Sequence, residues 1–373
     1  MLTIIVFILI LGVLIFVHEL GHFLTARQSG IKTDEFGFGF PPRILGFVKD
    51  EETGKRKLVW GNKEVLSKFT IYSINWIPLG GFVKIKGEDG EGKKEKDSFA
   101  GKPARTRIKV LAAGVMMNFI LAWVLIAIAL MIGAPEAVDS AQAVPNAHIQ
   151  VTDVASNSPA STMGLKIGDE IVGTPSGTKF QSVSDLQKYI DSHKGQQIIL
   201  EIKRGNQTLD LKGVPRANPP AGQGALGVEL AATIIKSYPW YEAIWQSLLD
   251  VFNLIWAMLV AIYGILKSLF MGHSVSADVT GPVGIAILTK QVTALGLVYV
   301  LQFAALLSIN LGIINAIPFP ALDGGRILFI VIEKIKGRPV SQRVEQTIHT
   351  IGFLLLILLM ILITFRDIGN YIK

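Results

Sequence analysis

Apolar and polar positions along this chain fall into long blocks rather than short alternations. Leu2–Val17 carries no charge and runs straight into "HELGH", ending near Gly30. Ile108–Ile132, Gly296–Ile317 and Ile348–Phe365 are further apolar blocks. Each approaches the ~20 residues that a helix needs to cross a bilayer core. The pattern therefore predicts a polytopic α-helical membrane protein with four transmembrane helices, at residues 1–30, 108–132, 296–325 and 348–366. Another block, Tyr241–Phe270, is long but interrupted by Glu242, Gln246, Asp250, Asn253 and Lys267. Its pattern is that of an amphipathic or re-entrant helix, although hydropathy alone also admits a crossing. No Lys or Arg precedes Arg27 and no small-residue cleavage site follows, so the first block reads as a retained span rather than a signal peptide.

The segments between the blocks are of two kinds. Residues 31–107 are polar and rich in Gly and Lys, and "KFTIYSINWIPLGGFVKIKGED" within them alternates in the manner of strands. Gly80-Gly81 suits a hairpin there, giving a membrane-associated β-hairpin or sheet. "GEDGEGKKEKD" reads as a solvated loop. "FGFGFPP", Phe36–Pro42, lacks the Lys-Ser/Thr and the strand–helix context of a phosphate loop and reads as a loop near the membrane surface. Residues 145–232 have the composition of a small soluble α/β domain. "HIQVTDVA" and "QQIILEIKRGNQTLDLKGV" predict strands, and "SVSDLQKYIDSHKG" a helix with a Ser cap and a Gly stop. "SPASTMGLKIGDEIVG" resembles the signature turn of a PDZ domain, carried by Gly164, Leu165, Gly168 and Asp169. Ala225-Leu226-Gly227-Val228 resembles the carboxylate-binding loop of circularly permuted PDZ domains, with Leu226 and Gly227 at its centre. Such domains hold peptide C-termini by adding a strand to a sheet edge.

Composition agrees with a membrane protein carrying a soluble insert. Half of the 373 residues are hydrophobic and 17% are charged, with a mean hydropathy of +0.46. The net charge of +7 gathers between apolar blocks, as the positive-inside rule expects of cytoplasmic loops, and forms no nucleic-acid stripe. There is no cysteine, which excludes disulfides and thiolate metal sites.

The candidate chemistry lies inside the first block. His18 and His22 are four residues apart, hence one turn apart on one helix face. Two neutral imidazoles at that spacing can share a metal ion, usually Zn²⁺. Glu19 projects beside it, where a carboxylate can deprotonate or orient a water. An ionisable group at this depth costs ~2.5–3.5 kcal/mol on translocon scales and is rarely kept without a partner or a function. A catalytic zinc needs a third protein ligand. His148 and His193 fall in the soluble segment, and His273 and His349 stand alone. "NLGIINAIPFPALDGGRIL" offers Asp323, behind a helix broken by Pro318 and Pro320, with Gly324 and Gly325 permitting tight turns. Irregular backbone at membrane depth is tolerated only when buried in protein or lining a wet cavity.

H-E-x-x-H in one span and N-x-x-P-x-P-x-L-D-G in a later one, carried here by Asn315, Pro318, Pro320, Leu322, Asp323 and Gly324, resemble the site-2 protease family of intramembrane zinc proteases. "GGFVKIKGED", "AAGVMMN", "ADVTGPVGI" and the inserted PDZ-like segment make the chain similar to the bacterial regulator-of-sigma-E protease branch, over nearly its whole length. The resemblance implies a zinc metalloendopeptidase of regulated intramembrane proteolysis in the bacterial inner membrane. It implies Asp323 as third zinc ligand, Glu19 as catalytic base and Asn118 and Asn315 near the active site. It also implies single-span membrane proteins as substrates, such as anti-sigma factors trimmed beforehand. Gly80, Gly81 and Phe82, in the β-prone stretch, are a plausible platform for an unwound substrate strand. Well-known members of the branch carry two PDZ domains where this chain shows one.

For one zinc to be shared, the spans bearing His22 and Asp323 must run in the same direction. An even number of crossings must then precede the later span, so Tyr241–Phe270 is expected not to cross. The basic loops at 31–107 and 326–343 would face the cytoplasm, with the active site near that side and the PDZ-like segment outside. A metal-silent PDZ scaffold and a metal transporter are the alternatives. An intact Glu19 speaks against the first, and the lack of an internal repeat against the second.

Overall fold

A computed structural model describes residues 2–372 apart from 52, 63–64, 66, 139–146, 156, 206, 221, 272–280 and 339. His273 lies outside the described residues. Helix α1 (Leu2–Gln28) leads into strands β1 (Thr33–Lys49), β2 (Arg56–Trp60) and β3 (Ile71–Ile85), and α2 (Ala104–Ile132) follows. A mixed segment comes next: β4 (Ala134–Val138), β5 (His148–Val154), α3 (Pro159–Met163), β6 (Glu170–Gly173), α4 (Val183–Ser192), β7 (Ile198–Arg204), β8 (Gln207–Gly213) and β9 (Val228–Lys236). Helices α5 (Trp240–Phe270), α6 (Pro282–Leu295), α7 (Leu297–Ala316), α8 (Asp323–Lys336) and α9 (Gln342–Ile372) complete the order.

Among the described residues, five helices are long and apolar enough to span a membrane, one more than the four expected: Thr3–Gln28, Ala104–Ile132, Trp240–Ser268, Leu297–Ala316 and Gln342–Gly369. The addition is α5, one continuous helix of 31 residues without the break a re-entrant hairpin requires. Its polar residues did not lower its length or apolarity below those of a span. Glu242, Gln246, Asp250 and Asn253 recur every three or four positions and so share one stripe, along which Gln246 donates to the Asp250 carboxylate at 3.2 Å.

The chain divides into two compact units, Met1–Ile126 with Ile244–Ala286 and Phe303–Lys373, and Ala127–Ala243 with Ile287–Gln302. In the first, the sheet order is β2-β1-β3. Two expectations are corrected here. "FGFGFPP" is no loop, because Phe36–Pro42 lies within β1. Gly80-Gly81 is no hairpin turn either, because β3 continues through it and its two arms flank β1 rather than each other. Phe36 pairs with both Val83 and Tyr72, and Gly37 with both Phe82 and Ser73. The second arm of β1 carries the next pairing, Leu45 facing Ile74 and Trp60. Residues 81–85 thus form an outer edge, paired on one side only among the described residues. Gly80 sits at φ +79°, where a Cβ would lie 2.5 Å from Ile15, so only glycine lets this arm run against α1. A buried pair, Glu35 and Arg43, ties the two arms of β1 through a forked contact of 2.8 and 2.5 Å. Ala26, Ile31, Ile85, Phe99, Val110, Leu111 and Ile330 form the apolar cluster joining the ends of α1 and β3 to α2 and α8.

The second unit is built on an antiparallel six-stranded sheet ordered β4-β9-β5-β6-β7-β8. Its core includes Ile149, Val151, Leu186, Ile198, Leu200, Ile202 and Leu226. Ile149 and Val151 on β5, and Ile198, Leu200 and Ile202 on β7, alternate inward as a half-buried sheet requires, while Leu186 comes from α4 and Leu226 from the loop before β9. Ser182 caps α4 by accepting from the Asp185 amide at 3.1 Å. Arg204 makes 2.6 Å bonds to both oxygens of the fully buried Asp169, which pins the "GLKIGD" turn.

Candidate metal centre

Three elements supply the site. The helical register of α1 puts His18 and His22 on one face, both buried. Helix α2 crosses close behind them at Gly114, where a Cβ would collide with the His22 ring and lie 2.8 Å from His18 Cε1. The third piece follows α7. Pro318 and Pro320 stop the helix, Ala321 adopts φ +76°, and Asp323 opens α8. A positive φ on a residue with a Cβ is strained and persists only where its surroundings enforce it. Here the Ala321 amide donates to His349 Nδ1 at 2.8 Å. Gly324 and Gly325 do not turn the chain, contrary to the reading above. They begin α8, and their missing Cβ atoms leave room for the carbonyls of Ala316, Ile317 and Phe319.

The three side chains converge. His18 Nε2 lies 3.0 Å and His22 Nε2 3.2 Å from Asp323 Oδ2, and the two Nε2 atoms are 3.1 Å apart. A tetrahedral zinc with bonds of ~2.0–2.1 Å holds its ligand atoms roughly 3.3 Å apart, so the triangle fits that ion. Hydrogen bonding fits as well. Asp323 Oδ2 is buried and receives no hydrogen bond despite two imidazole nitrogens within reach, as expected where lone pairs aim at a common cation. His22 Nδ1 lies 2.9 Å from the Val110 carbonyl, to which only a protonated nitrogen can bond, leaving Nε2 free to ligate. His18 Nδ1 lies 3.2 Å from the amide of fully buried Asn118, whose oxygen otherwise has no partner. Turned oxygen-first, that amide accepts the Nδ1 proton and frees the second Nε2. Among the described residues, this is the one cluster of three such side chains close enough to hold an ion together.

A cavity of about 260 Å³ opens on the triangle, lined by Ile15, His18, Glu19, His22, Val83, Asp323, Arg326 and Asn315, among others. Glu19 therefore shares one chamber with His18, His22 and Asp323. Asn118 stands behind His18 instead, and Asn315 lines the chamber. Val83, on the outer arm of β3, brings the unpaired sheet edge to the same space, next to Phe82. Leu226 and Gly227 belong to the second unit. There Leu226 is a core residue, and Gly227, at φ +71°, donates its amide to the Gly224 carbonyl at 3.0 Å. His148 pairs with Glu170, and His193 Nδ1 donates to the Tyr189 carbonyl at its own helix end. Gly114, the Val110 carbonyl and His349 were not foreseen as parts of the site. Only "AAGVMMN" marked the neighbourhood of the first two, in α2, and His349 lies on α9.

The Peptidase family M50 model matches residues 6–359, nearly the whole chain. The chain belongs to this family, that of the site-2 proteases. It is similar to the regulator of sigma-W protease RasP of Bacillus subtilis, at 32% identity covering 98% of both chains. It is also similar to the zinc metalloprotease RasP of Geobacillus kaustophilus, at 28% identity over 99% of this chain and 98% of that one. The RasP of Bacillus licheniformis is 30% identical over 98% of each. This M50 peptidase is accordingly a zinc metalloprotease and a multi-pass bacterial membrane protein.

Proposed function

We propose that this protease cleaves the membrane-spanning segments of single-span proteins, with zinc held by His18, His22 and Asp323. The meeting of those three side chains with Glu19, in one chamber beside a free sheet edge, carries the reading. Zinc, when bound, polarises a carbonyl and lowers the pKa of a water. The chain's own groups do the rest. Glu19 takes the water's proton and returns it to the leaving amine nitrogen. Asn118 orients His18, and Asn315 offers an amide donor toward the charge that develops on the scissile oxygen. A transmembrane helix conceals its peptide bonds in its own hydrogen-bond ladder, so a substrate must unwind first. Gly80, Gly81 and Phe82 lie on the edge that can receive the extended strand, and the open groups of that edge would replace the lost ladder.

The active site then faces the cytoplasm, and the PDZ-like segment, residues 145–232, lies outside. In the second unit, residues 228–231 of β9 pair with β5 while, among the described residues, β4 takes the edge of β9 only at residues 232–236. The remaining edge, beside the Leu226–Gly227 loop, favours a PDZ groove for peptide C-termini exposed by a prior cut, for example in anti-sigma factors. The test is a Glu19→Gln protein with a model single-span substrate. Retained zinc with cleavage reduced at least ~100-fold, the range of a lost general base, is expected. Undiminished cleavage would sink the proposal.

A further inference from the structure

Arg326 stands one turn after Asp323 on α8 and lines the same chamber. Residues three apart on a helix are neighbours, and an Asp–Arg pair at that spacing attracts. A free guanidinium here would compete with the ion for the Asp323 carboxylate. It is not free. Arg326 Nη1 donates to Glu88 Oε1 in a charge-assisted contact, and Glu88 follows the outer arm of β3 by three residues. Glu88 and Arg326 together border the metal chamber and two adjoining cavities of about 290 and 560 Å³.

We propose that Glu88 is a positioning residue for the metal: it engages Arg326 and so keeps the guanidinium off the Asp323 carboxylate. The inference rests on the zinc reading of His18, His22 and Asp323. It also gives the "GED" that ends the β-prone stretch a task distinct from the substrate edge. Breaking the pair then harms zinc binding only while Arg326 remains charged and near. That conditional dependence separates this role from a merely structural one.

The test is chelator competition for zinc on the full-length, detergent-purified chain. Glu88→Ala should weaken zinc roughly 10–100-fold, the range seen when a metal site's outer partners are removed. Arg326→Gln should change it little, and Glu88→Ala with Arg326→Gln should restore it. Unchanged affinity in Glu88→Ala overturns the proposal. So does a double variant as weak as the single one, or Arg326→Gln alone as weak as Glu88→Ala. If Glu88→Ala does not fold, Glu88→Gln is judged by the same comparisons. The zinc reading has its own readout: wild type that retains no zinc, or an Asp323→Ala protein that retains as much as wild type, defeats that reading instead.

Discussion

At Gly114 the site depends on an atom that is missing. A Cβ there would overlap the His22 ring and press on His18, so the two imidazoles converge on Asp323 only because α2 offers bare backbone. We predict that Gly114→Ala lowers zinc affinity at least ~10-fold, comparable to losing an outer partner of the metal. It should also cost about 1–3 kcal/mol by overpacking. Metal analysis and thermal unfolding check both, and full zinc with unchanged stability would refute the close approach. His18, Glu19, His22 and Asp323 were legible because their chemistry shows in residue type and spacing. Gly114 and the Val110 carbonyl were not. A glycine leaves no trace of what it makes room for, and a backbone carbonyl has no identity in sequence.

Among the elements, hydrophobic blocks located the long helices, and alternation located the strand-forming stretch. The order in which strand arms interleave was beyond such local signals. The arms of β3 enclose an arm of β1 about 40 residues upstream, and pairing between distant segments leaves no periodicity in either one. "FGFGFPP" was misread for the same reason: its glycines suggest a loop until Ser73 and Asn75 are seen packed against Gly37. The Glu35–Arg43 pair makes this arrangement testable. Both residues are buried, and hydrogen bonding to Glu35 pushes the Arg43 pKa up. Removing one partner strands the other charge, so Arg43→Met should destabilise the protein by about 3–5 kcal/mol. Replacing both by apolar residues of similar volume should cost much less. A double-mutant cycle on unfolding midpoints measures this, and additive losses would show that the pair does not hold the two arms.

Across the whole molecule, the meeting of His22 with Asp323 constrains the path of the chain. His22 lies in the C-terminal part of α1 and Asp323 follows the C-terminal end of α7, so those helices run in the same direction. With α2 returning the chain once, α5 and α6 together must add no net crossing. Helix α6 has 14 residues, about 21 Å at 1.5 Å each, less than a ~30 Å core. We therefore predict that α5 lies along the outer surface of the membrane, despite its length and apolarity, with its polar stripe toward water and apolar residues away from that stripe toward lipid. The absence of cysteine makes single-cysteine labelling clean. In spheroplasts, Glu242→Cys and Lys267→Cys, near the two ends of α5, should both react with an impermeant thiol reagent. Lys334→Cys on α8 should react only after lysis. Should Lys267→Cys also require lysis, α5 crosses, and α6 with its flanking residues must carry the chain back before α7 begins.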